Sequence, residues 1–159
     1  MNFSLANFYA LQTSHAKAEL QKCNQISEKF GLSLSEEQME LVIQNRFETL
    51  KRTGRIEFGQ GVIEKIVVAF CDSPYIEQEE YADLLMELQE IFYMLKKETF
   101  EQLTDDELID AMVLVFDASG GSLEHLRGID RNTIYKIARS GTLDGTYLGQ
   151  EKMWEDDYE

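Results

Sequence analysis

The stretch that decides the fold is Tyr75–Glu98, with the sequence YIEQEEYADLLMELQEIFYMLKKE. Its apolar residues recur at steps of three and four, which is the spacing of one buried face of an α-helix; they are Tyr81, Leu84, Leu85, Leu88, Ile91, Phe92 and Leu95. Acidic residues come early in the stretch, and Lys96 and Lys97 come at its end, as the helix dipole favours. The pattern therefore predicts a central helix on which the other elements pack.

The same periodicity predicts further helices on both sides of the central one. Two of them begin at capping boxes, Ser35 with Gln38 and Thr104 with Glu107. The predicted helices span about 14–30, 35–53, 60–70, 75–100 and 104–116, and a shorter one follows Asp130. Residues 1–12 fit either a short helix or an extended arm. We therefore predict an all-α, single-domain helical bundle of five main helices plus a short C-terminal helix and tail, divided into a bundle domain over 1–126 and an appended helix with an acidic tail over 127–159.

Length and composition indicate one soluble domain. The chain has 159 residues, of which 43% are hydrophobic, so it can bury a core without a metal ion or a disulfide. Cys23 and Cys71 lie on apolar helical faces and are predicted to be buried thiols. The absence of a Cys-x-x-Cys motif, a signal peptide and a long apolar run predicts a cytoplasmic protein with no membrane segment.

The charge of the chain is strongly negative and unevenly distributed. The formal net charge is −15; residues 77–110 carry twelve acidic side chains against two lysines, whereas residues 127–139 are basic. A negative field repels phosphates, which argues against nucleic acid as a partner of the whole molecule. The charge favours a basic protein partner, or self-association between the acidic face and the basic segment.

Several short motifs in the middle of the chain carry a resemblance to other proteins. They are Arg46-Phe47-Glu48, Gly54-Arg55-Ile56-Glu57-Phe58-Gly59, Phe70-Cys71-Asp72-Ser73-Pro74-Tyr75-Ile76, Ile91-Phe92-Tyr93, Asp105-Asp106-Glu107-Leu108-Ile109 and Gly121-Ser122-Leu123. Over roughly residues 23–126 the chain resembles an uncharacterised bacterial protein family of unknown function. The resemblance implies a small helical protein and supplies no reaction, ligand or functional residue.

The most specific polar cluster joins two connecting segments. Arg55 and Glu57 precede the short third helix, and Asp72 and Tyr75 follow it. One interpretation is a structural bridge between arginine and a carboxylate, because buried charges are tolerated only when paired. The other is a small polar pocket in which Arg55 binds an anionic ligand, or in which a carboxylate with a raised pKa performs acid–base catalysis.

Other motifs are less specific indications of a functional site. Arg131, Lys136 and Arg139 on the C-terminal helix could contact nucleic-acid phosphates, or could form the solvated face of a docking helix. The segment Gly59-Gln60-Gly61 resembles a phosphate cradle but lacks the Walker spacing. The two histidines, His15 and His125, have no close cysteine partner. We therefore predict no metal, no cofactor and no catalytic residues.

The functional prediction follows from the missing catalytic motif. We predict a non-enzymatic cytoplasmic protein, an adaptor or scaffold, whose partner is another protein or a second copy of itself. Met86, Tyr93 and Met94 flank the central stripe and would mark its interface if they are exposed. One alternative is an enzyme or small-ligand binder at the Arg55 cluster. A further alternative is a DNA-binding regulator that uses residues 131–143.

Overall fold

The computed structural model describes the backbone of residues 5–57 and 61–143, and within these ranges the side chains from residue 10 onward. This part of the chain contains helices and no strand. The α-helices are α1 (Leu5–Ser27), α2 (Glu36–Thr53), α3 (Ile63–Phe70), α4 (Tyr81–Glu98), α5 (Asp105–Ala118), α6 (Leu123–Arg127) and α7 (Arg131–Ser140), with short 3-10 helices at Glu28–Phe30 and Gln78–Glu80. The all-α prediction is confirmed, and the arrangement as one bundle stays a prediction.

The number of helices is larger than predicted. Seven α-helices lie within the described ranges. The sequence predicts only a short turn of helix at 122–126, outside the count of main helices. A separate helix, α6, forms there after Ser122, whose hydroxyl accepts a hydrogen bond from the His125 N–H at 3.1 Å. The N-terminal segment is helical from Leu5 onward and forms the first part of α1. The end of the predicted acidic tail, from residue 144 on, and the cradle positions 59 and 60 lie outside the described residues.

Both predicted capping boxes are present. The Ser35 hydroxyl accepts a hydrogen bond from the Gln38 N–H at 3.2 Å, and the Gln38 side chain accepts one from the Ser35 N–H at 2.9 Å. Thr104 and Glu107 form the same pair of bonds at the start of α5. The hydrogen bonds from Thr104 also hold the pKa of Glu107 below its ordinary value. Local sequence thus fixes where α2 and α5 begin.

The contacts between residues divide the chain into two compact units, Met1–Tyr93 and Met94–Glu159. In the first unit, α1 contacts both α2 and α3. In the second unit, α5 contacts both α6 and α7. The predicted domain boundary after residue 126 lies at a different position from this division and stays a prediction.

Helix α4, which the sequence predicts as the central helix, is buried around most of its circumference. The predicted stripe is buried except for Leu84, which is half-buried; its fully buried members include Leu85, Leu88, Ile91, Phe92 and Leu95. Tyr93 is buried as well, so the exposure that would let it mark an interface is absent. Met86 and Met94 are half-buried. No helix among the described residues combines the length and the apolar composition that a membrane span requires.

The buried face of α1 differs from the one that helical spacing predicts for residues 14–30, which consists of Ala16, Leu20, Cys23, Ile26 and Phe30. Leu20 and Cys23 are buried as expected, and Cys23 is a free thiol. Phe30, however, is exposed, and Glu19 and Ser27 are buried instead. The buried face of α1 therefore includes two polar side chains, and these side chains need partners inside the first unit.

Candidate functional site

A buried arginine lies at the centre of the first unit. Arg46 is on α2, and only 7% of it is exposed. Its Nη2 atom lies 3.5 Å from Glu57 Oε1. The local sequence explains the burial, because Arg46 lies one turn after Val42 and Ile43 and one turn before Leu50 on the apolar stripe of the helix. A charge in that position requires an opposite charge nearby.

Glu57 is the partner that connects three segments. Its Oε1 accepts a hydrogen bond from the Tyr93 hydroxyl at 2.5 Å, and its Oε2 accepts one from Arg55 Nε at 3.3 Å. The Arg55 guanidinium lies 5.9 Å from the centre of the Tyr93 ring. Burial and, after it, the hydrogen bond with Glu57 raise the pKa of Tyr93 above its ordinary value. One carboxylate thus ties the segment after α2 to both α2 and α4.

The segment before α3 passes directly over the arginine. A Cβ atom added at Gly61 would collide with Arg46 Nε and lie 2.9 Å from its Cζ. Glycine is the residue that permits this approach, since it has no side chain to occupy the space. The guanidinium of Arg46 is therefore covered by backbone on one side and faces Glu57 on another.

Alanine at position 61 is expected to destabilise the protein. The added methyl group must displace the buried Arg46 side chain, and overpacking of this kind costs about 1–3 kcal/mol in the free energy of unfolding. Urea denaturation of G61A measures the cost. The matched test is the same substitution in an R46M background, where the cost is expected to fall by at least about half because the methionine can yield. Equal costs in both backgrounds would show that Arg46 is not the obstacle.

A buried glutamate of α1 also interacts with Arg46. Glu19 is 8% exposed, and both Arg46 of α2 and Glu64 of α3 act on its charge. Burial, followed by the side-chain interaction with Glu64, raises the pKa of Glu19 to about 7, although Arg46 acts in the opposite direction. Burial raises the pKa of the neighbouring Cys23 thiol to about 12, so that this thiol is a poor nucleophile at neutral pH.

The structure brings only part of the predicted polar cluster together. Arg55 and Glu57 form the predicted bridge, whereas Asp72 and Tyr75 are exposed in the turn after α3. Binding of a ligand at these four residues stays a prediction. Arg46 was not among the predicted site residues; its signal is a charge at a position where the apolar stripe of α2 calls for an apolar side chain. Among the described residues, no group of three or more His, Cys, Asp and Glu side chains could hold a metal ion.

The basic residues of α7 contact their own unit. The Arg131 guanidinium lies 5.2 Å from the centre of the Phe100 ring. Arg139 lies 3.8 Å from Glu107 Oε2 and donates a hydrogen bond to the Gln102 carbonyl at 3.3 Å. These contacts occupy two of the three predicted phosphate-binding side chains, and binding of nucleic acid by them stays a prediction.

The turn between α4 and α5 holds an aromatic ring in solvent. Phe100 is 67% exposed. Its φ is 56° and that of Glu101 is 63°, although neither residue is glycine. The Phe100 N–H bonds to the Lys97 carbonyl and the Glu101 N–H to the Lys96 carbonyl, both at 3.0 Å. This is the Schellman pattern at a helix end, in which glycine usually occupies the position of Phe100.

A buried lysine supports the same turn from inside. Lys96 is 6% exposed. Its Nζ donates a hydrogen bond to the Leu103 carbonyl at 2.6 Å and lies 2.7 Å from Asp105 Oδ1. The last turn of α4 and the first turn of α5 are thereby joined through one ammonium group. The left-handed turn is therefore held in place by bonds that do not involve the exposed Phe100 ring.

Residues 19–144 match a family of unknown function, DUF6323. The match confirms the predicted resemblance to an uncharacterised family. It also extends that resemblance, which was placed at about residues 23–126, into α7. No curated protein matches the chain, and no solved structure matches it either.

Proposed function

The chain belongs to this family of unknown function, DUF6323, and we propose that it is a non-enzymatic adaptor or scaffold protein that binds another protein in the bacterial cytoplasm. The observation that supports the proposal is the Phe100 turn, in which an aromatic ring is exposed on a backbone that glycine adopts at lower cost.

The cost at Phe100 argues for a role outside the fold. A left-handed conformation costs a residue with a Cβ atom about 1–2 kcal/mol, and a largely exposed ring regains little of this by burial. Part of the cost is offset by the Arg131 guanidinium over the ring, which contributes about 0.5–1 kcal/mol at an exposed site. Strained residues that persist are concentrated at functional sites. Aromatic side chains are also the usual anchors of protein interfaces.

The charge of the segments that flank Phe100 in sequence indicates the chemistry of the partner. Four acidic side chains in these segments are exposed: Glu98 at the end of α4, Glu101 in the turn, and Asp106 and Asp110 in α5. Complementary charge steers association and suppresses wrong partners. The partner is therefore a protein with an apolar pocket for the ring and basic side chains around it.

Two substitutions at position 100 separate strain from binding. F100G is expected to be more stable than F100A by about 1 kcal/mol, because glycine adopts the left-handed conformation freely whereas alanine keeps the strain. Urea denaturation of both variants and of the wild type measures the difference. If F100A is as stable as F100G, the conformation at Phe100 is not strained, and the argument for its functional retention is lost.

Binding is tested with a photo-crosslinking amino acid at position 100 in living cells, and with the same amino acid at the exposed Lys97 as the control. We expect one discrete adduct from position 100 and little from position 97. The purified partner is then expected to bind F100G and F100A at least about 10-fold more weakly than the wild type, since an interface anchor contributes 2 kcal/mol or more. Equal adducts at both positions, or affinities within twofold, would contradict the proposal. An adduct of twice the chain mass would instead indicate self-association.

The two alternatives have less support. Both oxygens of Glu57 already accept hydrogen bonds from the protein, from Tyr93 and from Arg55, so a ligand at this point would have to displace them. A nucleic acid would have to displace Arg131 and Arg139 from their contacts within the second unit. The Phe100 ring, in contrast, is 67% exposed while it contacts Arg131.

A further inference from the structure

One side of α7, the α7 face, carries two arginines and a tyrosine in a regular row. Arg131, Tyr135 and Arg139 follow one another at intervals of four residues, so they lie on the same side of the helix. The row is about 12 Å long, since an α-helix rises about 1.5 Å per residue. Both arginines are exposed, and Tyr135 is half-buried.

Each guanidinium group of the α7 face lies over an aromatic ring. Arg139 Cζ is 5.1 Å from the centre of the Tyr135 ring, and Arg131 Cζ is 5.2 Å from that of Phe100. A stacked guanidinium presents its flat side to the ring and keeps its N–H donors at the edge. Arg139 donates to the Gln102 carbonyl, whereas Arg131 has no hydrogen bond or ion pair within the described part of the chain. Arg131 is therefore an oriented cation whose donors can bind a carboxylate.

The segment that follows α7 in the sequence has the opposite charge. Residues 144–159 contain six acidic residues and one lysine, together with Trp154 and two tyrosines. Residues 131–139 contain three basic residues and no acidic one. Carboxylates accept paired hydrogen bonds from arginine, and tryptophan is the ring that cations prefer. The segment therefore supplies both kinds of group that the α7 face can bind.

The length of chain after α7 is sufficient for this contact. The helix ends at Ser140, and Trp154 lies 13 positions beyond Gly141. An extended chain covers about 3.3 Å per residue, or about 40 Å over that distance, which is more than three times the length of the α7 face. A tethered segment also has a roughly millimolar effective concentration, so that individually weak contacts suffice.

We propose that the α7 face is a binding site for residues 144–159 of the same chain, in which the carboxylates of the segment pair with Arg131 and Arg139 and Trp154 packs against the guanidinium groups. Because Arg131 also contacts Phe100, the bound segment lies next to the Phe100 turn. It limits the access of a partner to the ring, a consequence that rests on the proposed function.

The fluorescence of Trp154 tests the contact in the intact chain, because this residue is the chain's one tryptophan. At low ionic strength we expect emission at shorter wavelength and weaker quenching by acrylamide than in the urea-unfolded chain. Salt at about 1 M shortens the screening length to about 3 Å and is expected to raise the quenching. Quenching at low salt that equals that of the unfolded chain would show that the proposal is wrong.

The double variant R131Q/R139Q locates the contact. It removes two charges from the α7 face, so the equilibrium constant for binding of the segment is expected to fall at least about tenfold, and Trp154 should lose its protection. The control K29Q/K51Q removes two exposed charges from the first unit and should keep the protection of the wild type. Protection that survives in R131Q/R139Q would contradict the proposal. Should that variant fail to fold, D156N/D157N removes charge from the segment itself and must expose Trp154 in the same way.

The effect on the Phe100 turn is measured separately, with the photo-crosslinking amino acid at position 100. D156N/D157N is expected to raise the yield of the partner adduct at least about twofold, since a site covered for half of the time doubles its accessible fraction on release. An unchanged yield together with an exposed Trp154 would show that the segment does not limit access to the ring. The absence of any adduct would count against the proposed function and not against the contact that Trp154 reports.

Discussion

Replacing Arg46 with methionine is expected to lower the free energy of unfolding by about 3–5 kcal/mol, the usual cost of removing one partner of a buried ion pair. Methionine fills much of the same space, so the loss is mainly electrostatic. It leaves Glu57 in a mostly buried position with one cationic partner fewer. Chemical denaturation at pH 7 measures the effect. The comparison requires that the unfolding free energy of the variant and that of the wild type have the same slope against denaturant concentration.

The matched control for this prediction lies on the same helix. Arg52 also faces a carboxylate, Glu90, at 3.7 Å, but 64% of its side chain is exposed. Exposed pairs of this kind contribute at most about 1 kcal/mol, so R52M should cost far less than R46M. Similar costs for the two variants would mean that the Arg46 pair is not buried in solution, and would remove the basis of the site around Glu57.

Replacing Lys96 with methionine is expected to cost about 2–3 kcal/mol. The substitution leaves the Leu103 carbonyl and the Asp105 carboxylate without the ammonium group that now joins them. Hydrogen bonds to charged groups contribute about 1.5–3 kcal/mol each, and a buried acceptor left without a donor costs free energy as well. Urea denaturation measures the loss, and it should be accompanied by faster hydrogen exchange in the turn from Thr99 to Thr104.

The neighbouring lysine provides the control. Lys97 has the same side chain but is exposed, so K97M should change the free energy of unfolding by less than about 0.5 kcal/mol. If K97M is as costly as K96M, the loss comes from general charge balance near the acidic start of α5 and not from the buried ammonium group.

Much of the fold could be predicted because its signals are local. The capping boxes at Ser35 and Thr104 need only four consecutive residues, and both appear where the sequence indicates. The stop at Gly54 depends on one residue that tolerates the left-handed conformation, and its φ is 68°. The stripe of α4 needs only its own period, and most of it is buried.

The site was harder to predict because its contacts are distant in sequence. Arg55 and Glu57 are two residues apart, and their pairing was anticipated as one of two interpretations. Tyr93 is 36 positions beyond Glu57, and no local pattern connects them. Glu19 and Glu64 belong to helices whose packing has to be known before the two carboxyl groups can be placed together.

Two errors have a common physical cause, which is that a periodic pattern does not fix the rotation of a helix or the shape of a turn. Phe30 fitted the apolar period of α1, yet it is exposed, and Ser27 is buried three residues earlier, where its hydroxyl donates to the Leu32 carbonyl at 2.7 Å. Phe100 stands where glycine would have marked the end of a helix, so the sequence carried no signal of the left-handed turn.

The reactivity of the two thiols reports on opening of the first unit. Cys23 and Cys71 are the chain's two cysteines, and both are buried in this unit. An alkylating reagent can therefore reach them only when the surrounding helices separate. The rate at which iodoacetamide modifies the unaltered protein thus reports how often that unit opens, without any introduced label.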